Sequence, residues 1–164
     1  MSEIRDVTTN DFARILALNE IEKRQTSELA IERLLSMHAV ADYHRVAVVD
    51  DQVVGFLIGF RETAPYENDN HAWFRERLKS FLYVDRIVVS AEVARRGIGS
   101  LLYRDFFDFA RRGGAEQVTC EYNLQPPNPT SAAFHLKFGF SELGQRRFPG
   151  STKRVSMQAA PANP

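Results

Sequence analysis

Residues 81 to 122 constrain this chain more than any other stretch. Residues 81–89, FLYVDRIVV, form an almost unbroken apolar run of strand length. Such a run suits a strand covered on both faces. The segment SAEVARR follows, then Gly97-Ile98-Gly99, and from Ile98 a helical repeat begins with Leu101, Leu102, Phe106, Phe109 and Ala110 on one face. Arg111 and Arg112 suit the negative C-terminal end of that helix, and Gly113-Gly114 stops it. Residues 116–122, EQVTCEY, read as another strand. Strand, crossover helix and strand in this order imply parallel pairing.

The first half implies antiparallel pairing instead. In RVAVVDDQVVGFLIGF, two apolar runs flank Asp50-Asp51-Gln52 and predict a β-hairpin. Glu3 to Val7 reads as a first strand. Thr8 or Thr9 caps a helix that turns Phe12, Ile15, Leu16 and Asn19 to one side. Polar residues 20–28 form a loop before a second helix carrying Ile31, Leu34, Leu35 and His38. Residues 63–81 are too long and aromatic for a plain turn; they read as a surface excursion or as the wall of a site, with a helical turn or two in HAWFRERLKSF. The prolines of NLQPPNPTS end the strand before them. Asn128-Pro129 opens a short helix that stops at Gly139, and residues 140–148 and 154–158 close the sheet. The expectation is one α/β domain over 1–158, a mixed sheet with helices on both faces, and a frayed tail over 159–164.

A chain of 164 residues suits a single domain. Its 21 basic and 21 acidic residues cancel, which argues against nucleic acid or an anionic membrane as partner. No apolar run approaches the length of a membrane helix. A lone cysteine, Cys120, excludes an intrachain disulfide and points to a reducing, cytoplasmic setting. Four scattered histidines give no ligand spacing, so no metal is expected.

The glycine turn is the candidate functional feature. Backbone amides at a helix start lack intrahelical partners, and glycines let a ligand approach them. With Arg95 and Arg96 alongside, this is a seat for phosphates. A tight turn with solvated arginines is the plain structural alternative. A Walker loop is excluded because GxxxxGK[ST] is absent, and a dinucleotide fingerprint fails at its third glycine, where Leu102 stands.

Two blocks resemble the GNAT acetyltransferases. Ala94-Arg95-Arg96-Gly97-Ile98-Gly99 resembles the family's Q/R-x-x-G-x-G/A motif, with Ala94 departing at the first position. NPTSAAFHLKFGF, residues 128–140, resembles N-x-x-A/S-x-x-F-Y-x-K-x-G-F, with Asn128, Ser131, Phe134, Lys137, Gly139 and Phe140 in register. The resemblance implies the GNAT fold, in which the strands corresponding to 81–89 and 116–122 splay apart and admit acetyl-CoA. Ile87, Val88 and Val89 would then line the pantetheine arm. Amides of Arg95, Arg96, Gly97, Ile98, Gly99 and Ser100 would hold the pyrophosphate, with Asn128, Phe134 and Lys137 supplying the second block.

The implied reaction is direct attack of an amine on the thioester, so the amine must lose a proton. Glu121 matches a position where relatives carry a catalytic glutamate, and Asp85 is the rival base. By strand alternation Arg86 points away from Asp85. His135 stands where the family commonly has its tyrosine acid, and histidine keeps a titratable donor there. Trp73, Tyr83, Glu67, Asp69, Asp85, Asn19 and Glu20 are candidates to line the site of an amine acceptor, small molecule or peptide. A homodimer is common among fold relatives. A CoA-binding sensor without turnover is the alternative, needing neither Glu121 nor His135.

Overall fold

Asp50 and Asp51 both adopt left-handed backbone, with φ of 49° and 64°. That pair matches the twist of a two-residue hairpin turn and joins β2 (Tyr43–Val49) to β3 (Gln52–Arg61). The computed structural model describes residues 1–22, 27–125 and 127–163. Seven strands form one sheet in the order β1-β2-β3-β4-β5-β7-β6. The others are β1 (Ser2–Asp6), β4 (Phe81–Val89), β5 (Gln117–Gln125), β6 (Ser141–Arg147) and β7 (Arg154–Pro161). Only β4 and β5 pair in parallel. The helices are α1 (Phe12–Ile21), α2 (Ile31–Val40), α3 (Asp69–Arg75), α4 (Ile98–Arg112) and α5 (Pro129–Lys137).

Helix α4 packs on one face of the sheet through Ile98, Leu102, Tyr103, Phe106 and Ala110, against Leu57, Leu82, Val118 and Cys120. Gly59 permits that approach: a Cβ there would lie 2.4 Å from the Phe106 ring. The opposite face carries α1 through Ile15 and Leu18, and α3 through Phe74. On α2 the buried residues are Leu34 and Met37, whereas Leu35 is 49% exposed. Its apolar face is rotated from the expected one.

Two sequence expectations are overturned. The last strand does not end at Gln158: β7 runs to Pro161, which faces Gln117. Ala159, Ala160 and Ala162 are buried, and the Ala162 amide donates to the Glu116 carbonyl at 3.0 Å. Small side chains fit a covered strand, so the alanines extend the sheet instead of fraying. Strand β5 likewise continues past Tyr122 to Gln125 by pairing Asn123 with Val155 and Gln125 with Arg154. Of the loop expected over 20–28, positions 23–26 lie outside the described residues, as does Pro126 in the proline segment.

Candidate active site

The sheet opens where β4 and β5 part. Phe81, Leu82 and Tyr83 face Gln117, Val118 and Thr119, and the pairing ends there. Strand β4 continues along β3 to Val89, while β5 continues along β7 to Gln125. A cavity of about 540 Å³ fills the notch between them. Val84, Asp85 and Ile87 wall one side; Cys120, Glu121 and Tyr122 wall the other.

A β-bulge sets which side chains enter from which face. Adjacent residues Ile58 and Gly59 on β3 face Arg86 and Val84 on β4, so Asp85 is an extra residue. The alternation shifts by one across it. Leu82 and Val84 point toward α4 before the bulge, and Ile87 and Val89 do so after it. Tyr83 points to the α3 side and Val88 to the α1 side, on the other face. Asp85 and Arg86 therefore share that other face, which corrects the expectation from simple alternation. Arg86 Nε donates to Asp85 Oδ2 at 2.8 Å, with the side chains only 8% and 4% exposed. The guanidinium also donates to Asn19 Oδ1 at 3.0 Å and to Ser27 Oγ at 2.9 Å. Tyr66 donates its hydroxyl to the second Asp85 oxygen. The Asp85 carboxylate is thus fully engaged.

Glu121 is differently placed. Val118 and Cys120 point toward α4, so Glu121 projects to the opposite face. There the Tyr83 hydroxyl donates to Glu121 Oε1. Burial pushes the Glu121 carboxyl up to about 8, and the Asp85 charge adds to the rise. The Tyr83 hydrogen bond, Lys153 and Arg86 oppose it. A carboxyl held near neutrality can exchange a proton with an amine at physiological pH.

His135 lies on the α4 side, buried at 6% exposure. Its Nδ1 is 2.6 Å from the Ser131 carbonyl, one helical turn back, which fixes the proton on Nδ1. Burial lowers its proton affinity, so the ring is neutral. Nε2 then accepts from the Tyr103 hydroxyl at 2.9 Å. In this arrangement both ring nitrogens are occupied and no N–H points into the cavity. The expected donor role meets a ring already committed to holding Tyr103.

Beyond β4, Ser90 Oγ accepts from the Glu92 amide and caps a single 3-10 turn, Ala91–Val93. The chain reverses through Arg95 and Gly97, with φ of 67° and 77°. Gly97 suits that turn through its positive φ and not through lack of room, since a Cβ there would meet no atom within 4 Å. Gly99 is ordinary helix, and a Cβ would only touch Phe134 at 3.6 Å. The first helical bond runs from the Leu101 amide to the Gly97 carbonyl at 3.0 Å. Amides of Ile98, Gly99 and Ser100 therefore precede any intrahelical acceptor. Arg95, Arg96 and Lys137 are exposed around this end, and Lys137 Nζ donates to Ser100 Oγ at 3.4 Å. A left-handed arginine is uncommon and marks strained backbone at this turn.

The expected residues thus fall into two groups. Glu121, Asp85, His135, Ile87 and Asn128 line the notch. Arg95, Arg96, Gly97, Ile98, Gly99, Ser100, Phe134 and Lys137 gather at the start of α4, while Val88 and Ile98 can contribute only backbone because their side chains are in the core. Asn128 caps α5 by accepting from the Ser131 amide at 3.2 Å. Among the expected acceptor residues, Tyr83, Asp69 and Asp85 line the notch; Trp73 packs on Gly144, and Glu67 lies exposed nearby. Tyr66, Tyr103, Arg146 and Lys153 were not legible as site residues. Tyr103 had a signal, being three and seven residues from the core positions Phe106 and Ala110.

The fold is thus a mixed α/β sheet that splits between its two parallel strands, with a left-handed turn leading from β4 into α4. The model of the acetyltransferase (GNAT) family matches residues 9–140, and the chain belongs to that family. It is 30% identical over 105 residues to a phosphinothricin N-acetyltransferase of Streptomyces coelicolor, a match spanning 63% of this chain and 56% of the relative. Among solved structures, Ard1 from Thermoplasma volcanium superposes with a TM-score of 0.77 at 19% identity, covering 96% of this chain and 95% of its own. N-acetylglutamate synthase from Neisseria gonorrhoeae, complexed with coenzyme A and N-acetyl-glutamate, gives 0.73 at 14% identity, covering all of this chain (100%) and 36% of its own. These likenesses carry the fold. Among the described residues, no helix is long and apolar enough to cross a membrane.

Proposed function

We propose that the protein is an acetyl-CoA-dependent N-acetyltransferase that moves the acetyl group to an amine by direct attack on the thioester. The observation that supports it is the notch itself: Glu121 lines it on one face of the sheet, and Tyr103 of α4 and His135 of α5 line it on the other. Acetyl-CoA would lie with its pyrophosphate on the amides of residues 95–100, near Arg95, Arg96 and Lys137. Its pantetheine arm would run along the free β4 edge at Ile87, Val88 and Val89. The acetyl carbonyl would then sit near the Val89 amide as an oxyanion donor. An ammonium entering from the α1–α3 face sheds a proton to ionised Glu121. The free amine forms the N–C bond, the C–S bond breaks with its electron pair on sulfur, and the second proton that the nitrogen sheds as the amide forms passes to the thiolate as CoA leaves.

Asp85, paired with Arg86 and hydrogen-bonded by Tyr66, supports this chemistry by raising the proton affinity of Glu121. His135 would set the position of Tyr103 under the notch. A cytoplasmic, homodimeric protein remains part of this reading. The decisive assay incubates acetyl-CoA with a panel of amines and follows free thiol. Thiol release that depends on the amine, with matching N-acetyl product, supports acetyl transfer. Acetyl-CoA binding without any release across the panel would instead support a sensor.

A further inference from the structure

We infer that the acceptor carries an anionic group beside its reacting amine, and that Arg146 and Lys153 hold that group. The inference rests on the acetyl-transfer reading and specifies its acceptor. It begins from which charges in the notch are already satisfied. Asp85 and Arg86 cancel each other within one ion pair. Glu121 shares its carboxyl with the Tyr83 hydroxyl. Among the described residues lining the cavity, Asp69, Arg146 and Lys153 have no ion-pair partner.

The two cations come from the β6–β7 hairpin and flank one aromatic ring. Arg146 Cζ lies 5.5 Å and Lys153 Nζ 4.7 Å from the Phe148 centroid. Arg146 Nη1 donates to Asn70 Oδ1, which ties the hairpin to α3 and leaves further N–H groups for a ligand. Lys153 is half-buried, and its charge reaches the Glu121 carboxyl. A group seated on Lys153 is therefore within small-molecule reach of an amine at Glu121. Two cations without ion-pair partners thus share one cavity with the Glu121 and Asp69 carboxyls. A zwitterion satisfies both ends, whereas a polyamine sets its second charge against Arg146 and Lys153. The anion can be a carboxylate or a phosphorus oxyacid, since both match guanidinium and ammonium donors.

The test compares α-amino acids with their C-terminal amides, aminoalkylphosphonates and spermidine, using thiol release from acetyl-CoA. The expected result is a preference of about tenfold or more in kcat/KM for the anionic acceptors over the amides, carried mainly by KM. Lys153→Gln should reduce that preference severalfold, and Arg146→Gln should act in the same direction. Lys153 lies by the hairpin tip, so its variant keeps the test open if Arg146→Gln loosens the hairpin. Preference for amides or spermidine would overturn the inference while leaving acetyl transfer standing. So would an acid-over-amide ratio unchanged in both folded variants. Release from no acceptor at all overturns the acetyl-transfer reading and this inference with it.

Discussion

Removing one hydroxyl should move the pH profile of the enzyme upward. Glu121 has been pushed up to about 8, chiefly by burial, and the Tyr83 hydrogen bond works against that rise. At pH 7 a carboxyl with that affinity is ionised in about one molecule in ten. kcat/KM for any one amine should therefore climb with pH through an inflection near 8. Tyr83→Phe removes a hydrogen bond to the ionised carboxyl, worth about 1.5 kcal/mol. Since about 1.4 kcal/mol corresponds to one pH unit, the inflection should rise by about one unit. Asp85→Asn removes the neighbouring negative charge and frees Arg86, so it should move the inflection down. Glu121→Gln should abolish it and lower kcat/KM by about 10² to 10³, within the general-base range. The assay is thiol release from pH 6 to 10 with one acceptor throughout, so that the amine's own titration is common to all variants. An inflection common to wild type, Tyr83→Phe and Asp85→Asn would refute the assignment of the titration to Glu121.

Three further outcomes follow from the same geometry. Gly97→Ala forces a Cβ into left-handed backbone and should cost about 1–2 kcal/mol, lowering Tm, while Arg95→Gly relieves the same strain and should raise Tm yet weaken acetyl-CoA binding in a salt-dependent way; thermal melts with and without acetyl-CoA read both. Burial, with His38 adding to it, pushes His44 down to about 3, and Asp11 only partly opposes this. The folded state thus holds His44 neutral where the unfolded chain binds a proton, so stability is present above about 6.5 and falls with decreasing pH toward 3 at up to about 1.4 kcal/mol per unit; His44→Leu should flatten that slope in urea midpoints taken from pH 7 to 4. His135→Asn breaks the links to Ser131 and Tyr103 and should lower Tm, with kcat falling less than about tenfold; a loss of 10³ at unchanged Tm would return the role of acid to His135.

What the sequence disclosed was whatever depends on one segment at a time. Strand β4 has its expected limits because an apolar run, interrupted only by Asp85 and Arg86, lies between turn formers. Helix α5 starts at Asn128-Pro129 because cap and first-turn proline are local devices. The Asp85–Arg86 pair escaped because a bulge belongs to two strands: it exists only in the register of β4 against β3, which no window on β4 contains. Tyr66 was hidden for a related reason. It stacks on Phe60 with ring centroids 3.7 Å apart and reaches Asp85 from a loop, a contact made by tertiary packing. Arg146 and Lys153 reach the notch only because the β6–β7 hairpin folds beside β5.

The division of labour in the notch follows from strand parity. On β5, Cys120 and Tyr122 share the α4 face and Glu121 takes the other. On β4, the bulge sends Ile87 and Val89 to the α4 face while keeping Tyr83, Asp85 and Arg86 together on the opposite one. Acetyl-CoA entering beside α4 would therefore meet apolar walls and free backbone. An amine entering from the other side would meet the charged groups that β4 and β5 contribute to the notch wall, Asp85, Arg86 and Glu121. Straightening β4 with every residue kept would turn Ile87 and Val89 to the face of Tyr83 and carry Arg86 to the α4 face. Asp85 would then be buried without its cation, which is strongly unfavourable. The bulge thus admits Asp85 without displacing Arg86, so the ion pair stays on the face of Glu121 while Ile87 and Val89 keep the α4 face.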